Sequence, residues 1–158
     1  MNNQKFYDIV DTVVSENEEN HSLVSEADKL EMADEIEELF ESEDYTSKDL
    51  KSHVETNLKT DVEIISENSG LDENTIEKYI KAGKEEGWDT KFINEHAEDI
   101  QLYEMEREEF IMMLVEDLQI IGEIPEKALR YIDTDHVWNS EVRFDFSETK
   151  YGFLYTSI

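Results

Sequence analysis

The sequence predicts a predominantly helical α+β fold: an N-terminal acidic helical unit over residues 1–87, then a helix-rich unit over 88–158 ending in a small antiparallel sheet. Three observations predict it. Five glycines and one proline in 158 residues leave little to break helices. Apolar residues recur at three- and four-residue spacing through most of the chain. Only near the end does strict alternation replace that spacing, in Val142-Arg143-Phe144-Asp145-Phe146.

Phe6, Ile9, Val10, Val13 and Val14 form the first amphipathic stripe, which ends in the polar residues 15–22. Leu30, Ala33, Ile36, Leu39 and Phe40 form the second, opposite a face of acids. Thr46-Ser47-Lys48-Asp49 reads as a capping box, because a threonine hydroxyl and an acid three residues on can satisfy each other's free backbone N–H groups. Leu50, Val54 and Leu58 follow it at spacings of four. Ile76, Tyr79 and Ile80 predict a helix over 72–84, stopped by Gly83 and Gly87.

Trp88 opens the second unit. A helix is expected over 89–98 and a longer one over 104–119, with Phe110, Met113, Leu114 and Leu118 inward and Gly122 closing it. Pro125 opens a short helix to Arg130, and Asp133 caps another reaching Glu141. Tyr151-Gly152-Phe153-Leu154-Tyr155 answers the 142–146 strand across residues 147–150, as a hairpin.

Forty-two Asp and Glu face fourteen Lys and Arg, a net charge of −28. Self-repulsion of that size opposes compaction. Yet 38% of residues are hydrophobic, with seven Phe, seven Tyr and two Trp, too rich in apolar material for a disordered acidic tail. Nucleic acid and anionic membranes are reached through basic patches, which this chain lacks, so a basic protein surface is the natural partner. The absence of cysteine excludes disulfides and thiolate metal sites. The N-terminal residues lack a signal-peptide pattern, and the longest apolar run, Phe110 to Val115, is far too short to span a bilayer. A soluble protein of the cytoplasm is expected.

No catalytic constellation stands out. His21, His53, His96 and His136 lie far apart, without zinc-binding spacing. Asn68-Ser69-Gly70-Leu71-Asp72-Glu73-Asn74 has the composition of a calcium loop without its order. Phosphate-binding loops and nucleophile elbows are missing, and with so many acids any one carboxylate pair carries no information. The expectation is a non-enzyme that uses no metal and no cofactor.

The acids themselves are patterned. Carboxylates at i, i+3 and i+4 share a helix face and repel by a few tenths of a kcal/mol per pair. Glu31, Asp34, Glu35 and Glu38 make such a ladder, continued obliquely by Glu37, Glu41 and Asp44. Glu104, Glu108, Glu116 and Asp117 suggest a second. Glu95, Glu98, Asp99, Glu106, Glu109, Asp135, Glu141 and Asp145 complete the set expected to face a partner. Duplex DNA carries one negative charge per ~1.7 Å of axis, so the net charge equals that of roughly 48 Å, or about 14 base pairs. Such a surface could occupy a protein groove built for DNA. It could equally be a solvated face kept for solubility or for high salt.

The second unit adds a resemblance. The segments Phe92-Ile93-Asn94-Glu95-His96, Glu108-Glu109-Phe110 and Leu114-Val115-Glu116-Asp117-Leu118 lead to Tyr131-Ile132-Asp133 and Asp135-His136-Val137-Trp138. Asp145-Phe146 and Tyr151-Gly152-Phe153 follow. From about residue 88 to 156 this pattern resembles the C-terminal part of the ArdA-type antirestriction proteins of phages and mobile elements. The resemblance implies a dimeric DNA mimic, an inhibitor whose acidic surface fills the DNA-binding groove of type I restriction–modification enzymes in the host cytoplasm. It covers less than half the chain, and residues 1–87 do not look like the mixed strand-and-helix domain that precedes it in full-length members. The remaining alternatives are a mimic aimed at another DNA-binding protein and a non-mimetic acidic helical adaptor of a phage or mobile element. Within the motifs, Tyr131, Ile132 and Trp138 are expected in the core and Asp133 as a helix cap.

Overall fold

The computed structural model describes residues 4–42 and 44–158. Helices dominate them, and a small antiparallel sheet forms from the later part of the chain, in line with the expected fold class. Two compact units are present, one ending at Glu73 and the other running from Asn74 to Ile158.

The first unit contains α1 (Gln4–Glu16), α2 (Glu18–His21), α3 (Glu26–Ser42), α4 (Ser47–Asn57) and α5 (Asp61–Ser69). Helices α1, α3 and α4 pack on one another around a core of Phe6, Val10 and Val13, then Met32, Ala33 and Ile36, then Leu50, Val54 and Leu58. Each large side chain removed from water there contributes roughly 1.5–3 kcal/mol relative to an exposed one. The expected stripe on α3 is turned by part of a helix face. Leu30 and Phe40 remain 53% and 42% exposed, and Met32 takes the inward place. The stripe Met32-Ala33-Ile36 centres on the contact with α1, which leaves Leu30 and Phe40 on the flanks. Phe40 still lies 5.7 Å from the Phe6 ring and under the Lys5 ammonium.

The capping box at α4 forms in full: Thr46 Oγ1 accepts from the Asp49 backbone, and the Asp49 carboxylate accepts from the Thr46 N–H and hydroxyl. Helix α5 lies in a stretch for which the apolar spacing predicts no element. Thr60 caps its start through the Glu63 N–H, and Gly70, at φ 77°, ends it. Two buried polar groups tie α5 to α2. Asp61 accepts from the Ser22 backbone at 3.1 Å, the Ser22 hydroxyl at 2.6 Å and the Leu23 backbone at 2.7 Å. His21 Nδ1 donates to the Lys59 carbonyl at 3.0 Å, because a carbonyl can only accept.

The second unit contains α6 (Glu73–Glu86), α7 (Thr90–His96) and a 3₁₀ turn, Ala97–Asp99, then β1 (Leu102–Tyr103) and α8 (Arg107–Glu116). After these come α9 (Glu126–Leu129), α10 (Thr134–Val137), a π-helical turn (Trp138–Val142), β2 (Phe146–Thr149) and β3 (Gly152–Tyr155). The division between units, at 73/74, therefore falls fourteen residues before the expected position at 87/88, because α6 bonds forward. Lys78 pairs with Glu104, Glu85 accepts from the Lys150 N–H, and Glu86 accepts from the Ser147 hydroxyl. Gly83 does not stop α6. It sits in the helix interior where a Cβ would lie 2.7 Å from Ile93 Cδ1, and Gly87, at φ 93°, provides the stop.

The helix expected over 104–119 is shorter at both ends. Leu102 and Tyr103 are drawn into an antiparallel pairing with Leu154 and Phe153, which extends the chain before Glu106. Beyond Asp117, whose N–H still bonds to the Met113 carbonyl, the helix does not continue, with Gln119 at φ 49° and Leu118 60% exposed. The buried face is Phe110, Ile111, Leu114 and Val115, with Met113 at its edge. Strand 142–146 is also overturned. Val142 belongs to the π turn and is buried, Phe144 projects from a turn at 64% exposure, and the strand begins at Phe146. Alternation there does not mark one buried face: Val142 is buried, Phe144 exposed and Phe146 half-buried, because the chain turns between them. Residues 147–149, expected as the loop, pair with β3, and Lys150-Tyr151 makes the hairpin turn.

The sheet order is β1-β3-β2. Its inner face packs on α8 through an aromatic cluster: Phe110 stacks on Phe153 at 4.4 Å, Phe146 meets Phe110 edge-on at 5.1 Å, and Trp138 meets Phe153 at 5.5 Å. Asp133 caps α10 by accepting from the Asp135 and His136 N–H groups. Trp138 is buried and Ile132 packs against the core. Tyr131 is the exception among the motif residues. It leaves the short turn after α9 pointing outward, 74% exposed, with the Arg130 guanidinium 4.9 Å from its ring.

Candidate functional site

Every carboxylate expected to face a partner is exposed: Glu31, Asp34, Glu35, Glu38, Glu41, Glu95, Glu98, Asp99, Glu104, Glu106, Glu108, Glu109, Glu116, Asp117, Asp135, Glu141 and Asp145. Asp61, the buried carboxylate among the described residues, is spent on the α2–α5 junction. The helices explain this outward placement. On α3 the stripe Met32-Ala33-Ile36 turns inward, so Glu31, Asp34, Glu35, Glu38 and Glu41 must point to water. That ladder is continuous. It stops at Glu41, because Asp44 lies past the end of α3.

The second expected ladder is broken. Glu104 and Glu106 precede α8, and Glu104 is held by Lys78 at 2.9 Å. Glu108 and Glu109 occupy the first turn of α8, whereas Glu116 and Asp117 lie at its end, so two acidic clusters replace one row. Glu95 lies on α7, Glu98 and Asp99 on the 3₁₀ turn, and Glu141 on the π turn. Asp145 accepts from the Ser157 hydroxyl at 2.6 Å. Asp135 stands 3.6 Å from Arg107, whose guanidinium lies 4.6 Å from the Trp138 ring centre.

Charge compensation is sparse. With 42 acids and 14 Lys and Arg, 42 − 14 = 28 carboxylates exceed any one-to-one pairing. Glu31, Glu38, Glu41, Glu95, Glu98, Asp99, Glu106, Glu108, Glu109, Glu116, Asp117 and Glu141 form no ion pair among the described residues. Several of the pairs that do form, such as Lys59 with Glu67 at 2.7 Å, have both partners exposed and contribute little, whereas Lys29, paired with Asp11 at 3.0 Å, is largely covered.

The α3 ladder borders a groove of about 470 Å³ within the first unit. Asp28, Glu31, Glu35 and Glu38 follow one line along the helix at intervals of three and four residues, and Asn57 and Lys59 stand across from them. Asp28 also accepts from the Ser25 N–H at 3.2 Å, in a reciprocal pair that starts α3. Glu35 faces His53 Nε2 at 3.5 Å, a nitrogen enclosed without a hydrogen-bond partner.

Exposed carboxylates in high dielectric attract cations and cationic protein groups, but they lack the enclosure that tunes an acid or base for catalysis. The histidines do not assemble. His21 is buried against Lys59, His53 sits beside Glu35, His96 packs 4.4 Å from the Phe92 ring, and His136 is exposed. Among the described residues no cluster of His, Asp and Glu could hold a metal ion, and no helix is long and apolar enough to cross a membrane. No protein family, curated protein or solved structure matches the chain.

Proposed function

We propose that this chain is a DNA-mimic inhibitor that occupies the DNA-binding groove of a host defence enzyme, a type I restriction–modification complex, in the host cytoplasm. One observation carries the proposal: the expected carboxylates all face water, and most of them have no cationic mate among the described residues. A groove lined with Lys and Arg recovers by electrostatics what it would gain from phosphates, and field complementarity speeds the encounter. The likeness of the C-terminal motifs to antirestriction proteins supports the choice of enzyme. The work is collective, and no single carboxylate is indispensable.

The test is competition. The purified complex should bind the chain with saturable stoichiometry, lose its DNA binding as it does so, and release the chain when duplex DNA is added in excess. Simultaneous binding of the chain and duplex DNA would refute mimicry. It would favour an adaptor that docks through apolar side chains, among which Tyr131 and Phe144 are 74% and 64% exposed.

A further inference from the structure

We infer that the groove beside α3 is a docking site for a basic amphipathic helix of a partner protein, a helix that seats an apolar side chain between Lys or Arg residues. This deepens the acidic-surface reading and rests on it, since both require a basic protein partner. It adds an apolar anchor, which a phosphate backbone does not supply.

Two features of the groove select this occupant. Its wall carries Glu31, Glu35 and Glu38, and its floor is apolar, formed by Val24, Met32 and Leu58. At ~1.5 Å rise per residue, the carboxylates of the wall span about 10 Å along α3, matching basic residues at i, i+3 or i+4, and i+7 of a helix laid alongside. Lys59, the cation on the rim, pairs with Glu67 at 2.7 Å, so a single cation, itself shared with a carboxylate, faces several acids there. Glu35 stands 3.5 Å from His53 Nε2, whereas Glu31 and Glu38 form no ion pair among the described residues. A simple counterion would satisfy the wall and leave the floor unused. A basic helix with an apolar residue facing the floor satisfies both.

The probe is a short synthetic helix with lysines flanking a leucine stripe, labelled and titrated with the full chain at about 0.15 M salt, where distant surface charges are screened. Binding should weaken by about tenfold or more when Glu31→Gln and Glu38→Gln are combined, and again when Asn57→Arg places a cation on the rim. Replacing leucine by serine in the probe should cost a comparable factor. Glu123→Gln with Glu126→Gln, in the other unit and outside the partner-facing set, should leave probe binding unchanged, and circular dichroism establishes that each variant is folded. Equal binding of the serine probe overturns the docking site, as does equal loss in the Glu123/Glu126 variant. Either result leaves DNA mimicry standing. Conversely, groove-specific binding by a chain that fails to compete with duplex DNA for the restriction complex would keep the docking site and refute the mimic.

Discussion

Leu23 donates its backbone N–H to Asp61 Oδ1 at 2.7 Å, across thirty-eight residues of sequence. With the two bonds from Ser22 on the other carboxylate oxygen, this contact fastens the chain before α3 to the first turn of α5. Asp61→Ala should strand two backbone donors and the Ser22 hydroxyl, with a cost of about 3 kcal/mol in urea unfolding. Asp61→Asn keeps one acceptor oxygen and should lose less. Ser22→Ala removes one bond and should cost about 1 kcal/mol. A neutral Asp61→Ala variant would show that the junction contributes nothing.

The α4 cap has its own pH signature. The Thr46 backbone N–H and hydroxyl hold the Asp49 carboxyl below the usual carboxylate range. A depressed native value means the native state binds fewer protons than the unfolded chain as the pH falls. The cap's contribution is therefore complete above the ordinary value of 3.8 and disappears as pH drops through the lower native value. Asp49→Asn should flatten the acid limb below about pH 4 and leave the range from pH 7 to 5 unchanged. Thr46→Ala should cost roughly 0.5–2 kcal/mol at neutral pH.

Two glycines should respond differently to alanine. At Gly83 the new methyl meets the flexible end of Ile93, and the helix gains from alanine's propensity, so the net loss should stay within about 2 kcal/mol. At Gly152 the backbone holds φ 135°, and a Cβ would lie 2.5 Å from the Tyr103 carbonyl oxygen, itself fixed in the β1–β3 ladder. Gly152→Ala should be the more damaging change, measured as the larger drop in Tm. The reverse order would contradict the strand register.

Added salt should raise the stability of the fold. Repulsion among the excess carboxylates is screened, and the exposed pairs that salt also weakens, such as Lys51–Glu16, contribute little. Thermal unfolding across a salt series checks this, and a steady fall in Tm would mean that ion pairs dominate.

Local chemistry was legible in the sequence, and long-range pairing was not. Thr46 and Asp49 announce their cap because both partners lie within one turn, and the same holds for Asp133 and the start of α10. Thr60 and Glu63 offer a similar signal for α5, weaker because no regular apolar stripe follows it. Nothing near Leu102 and Tyr103 foretells a strand, because their partners are Leu154 and Phe153. That pairing extends the residues before α8 and takes Glu104 out of the helix, which breaks the second acidic ladder. The outward placement of the acids was legible, since each apolar stripe fixes the opposite face. The groove was not, because it needs α3 and the Asn57–Lys59 segment brought side by side.

The most direct measurement of the mimicry claim is the association rate with the restriction complex across a salt series. It compares the native chain with a variant carrying Glu108→Gln, Glu109→Gln, Glu116→Gln and Asp117→Asn. These positions are exposed, and losing the favourable charges of the first turn of α8 is offset by losing the unfavourable ones at its end, so the fold should survive. If the chain mimics DNA, native association slows steeply as salt rises, dissociation changes less, and the variant binds at least about tenfold more weakly with a shallower salt slope. Native association insensitive to salt, together with an unchanged affinity for the variant, would contradict mimicry.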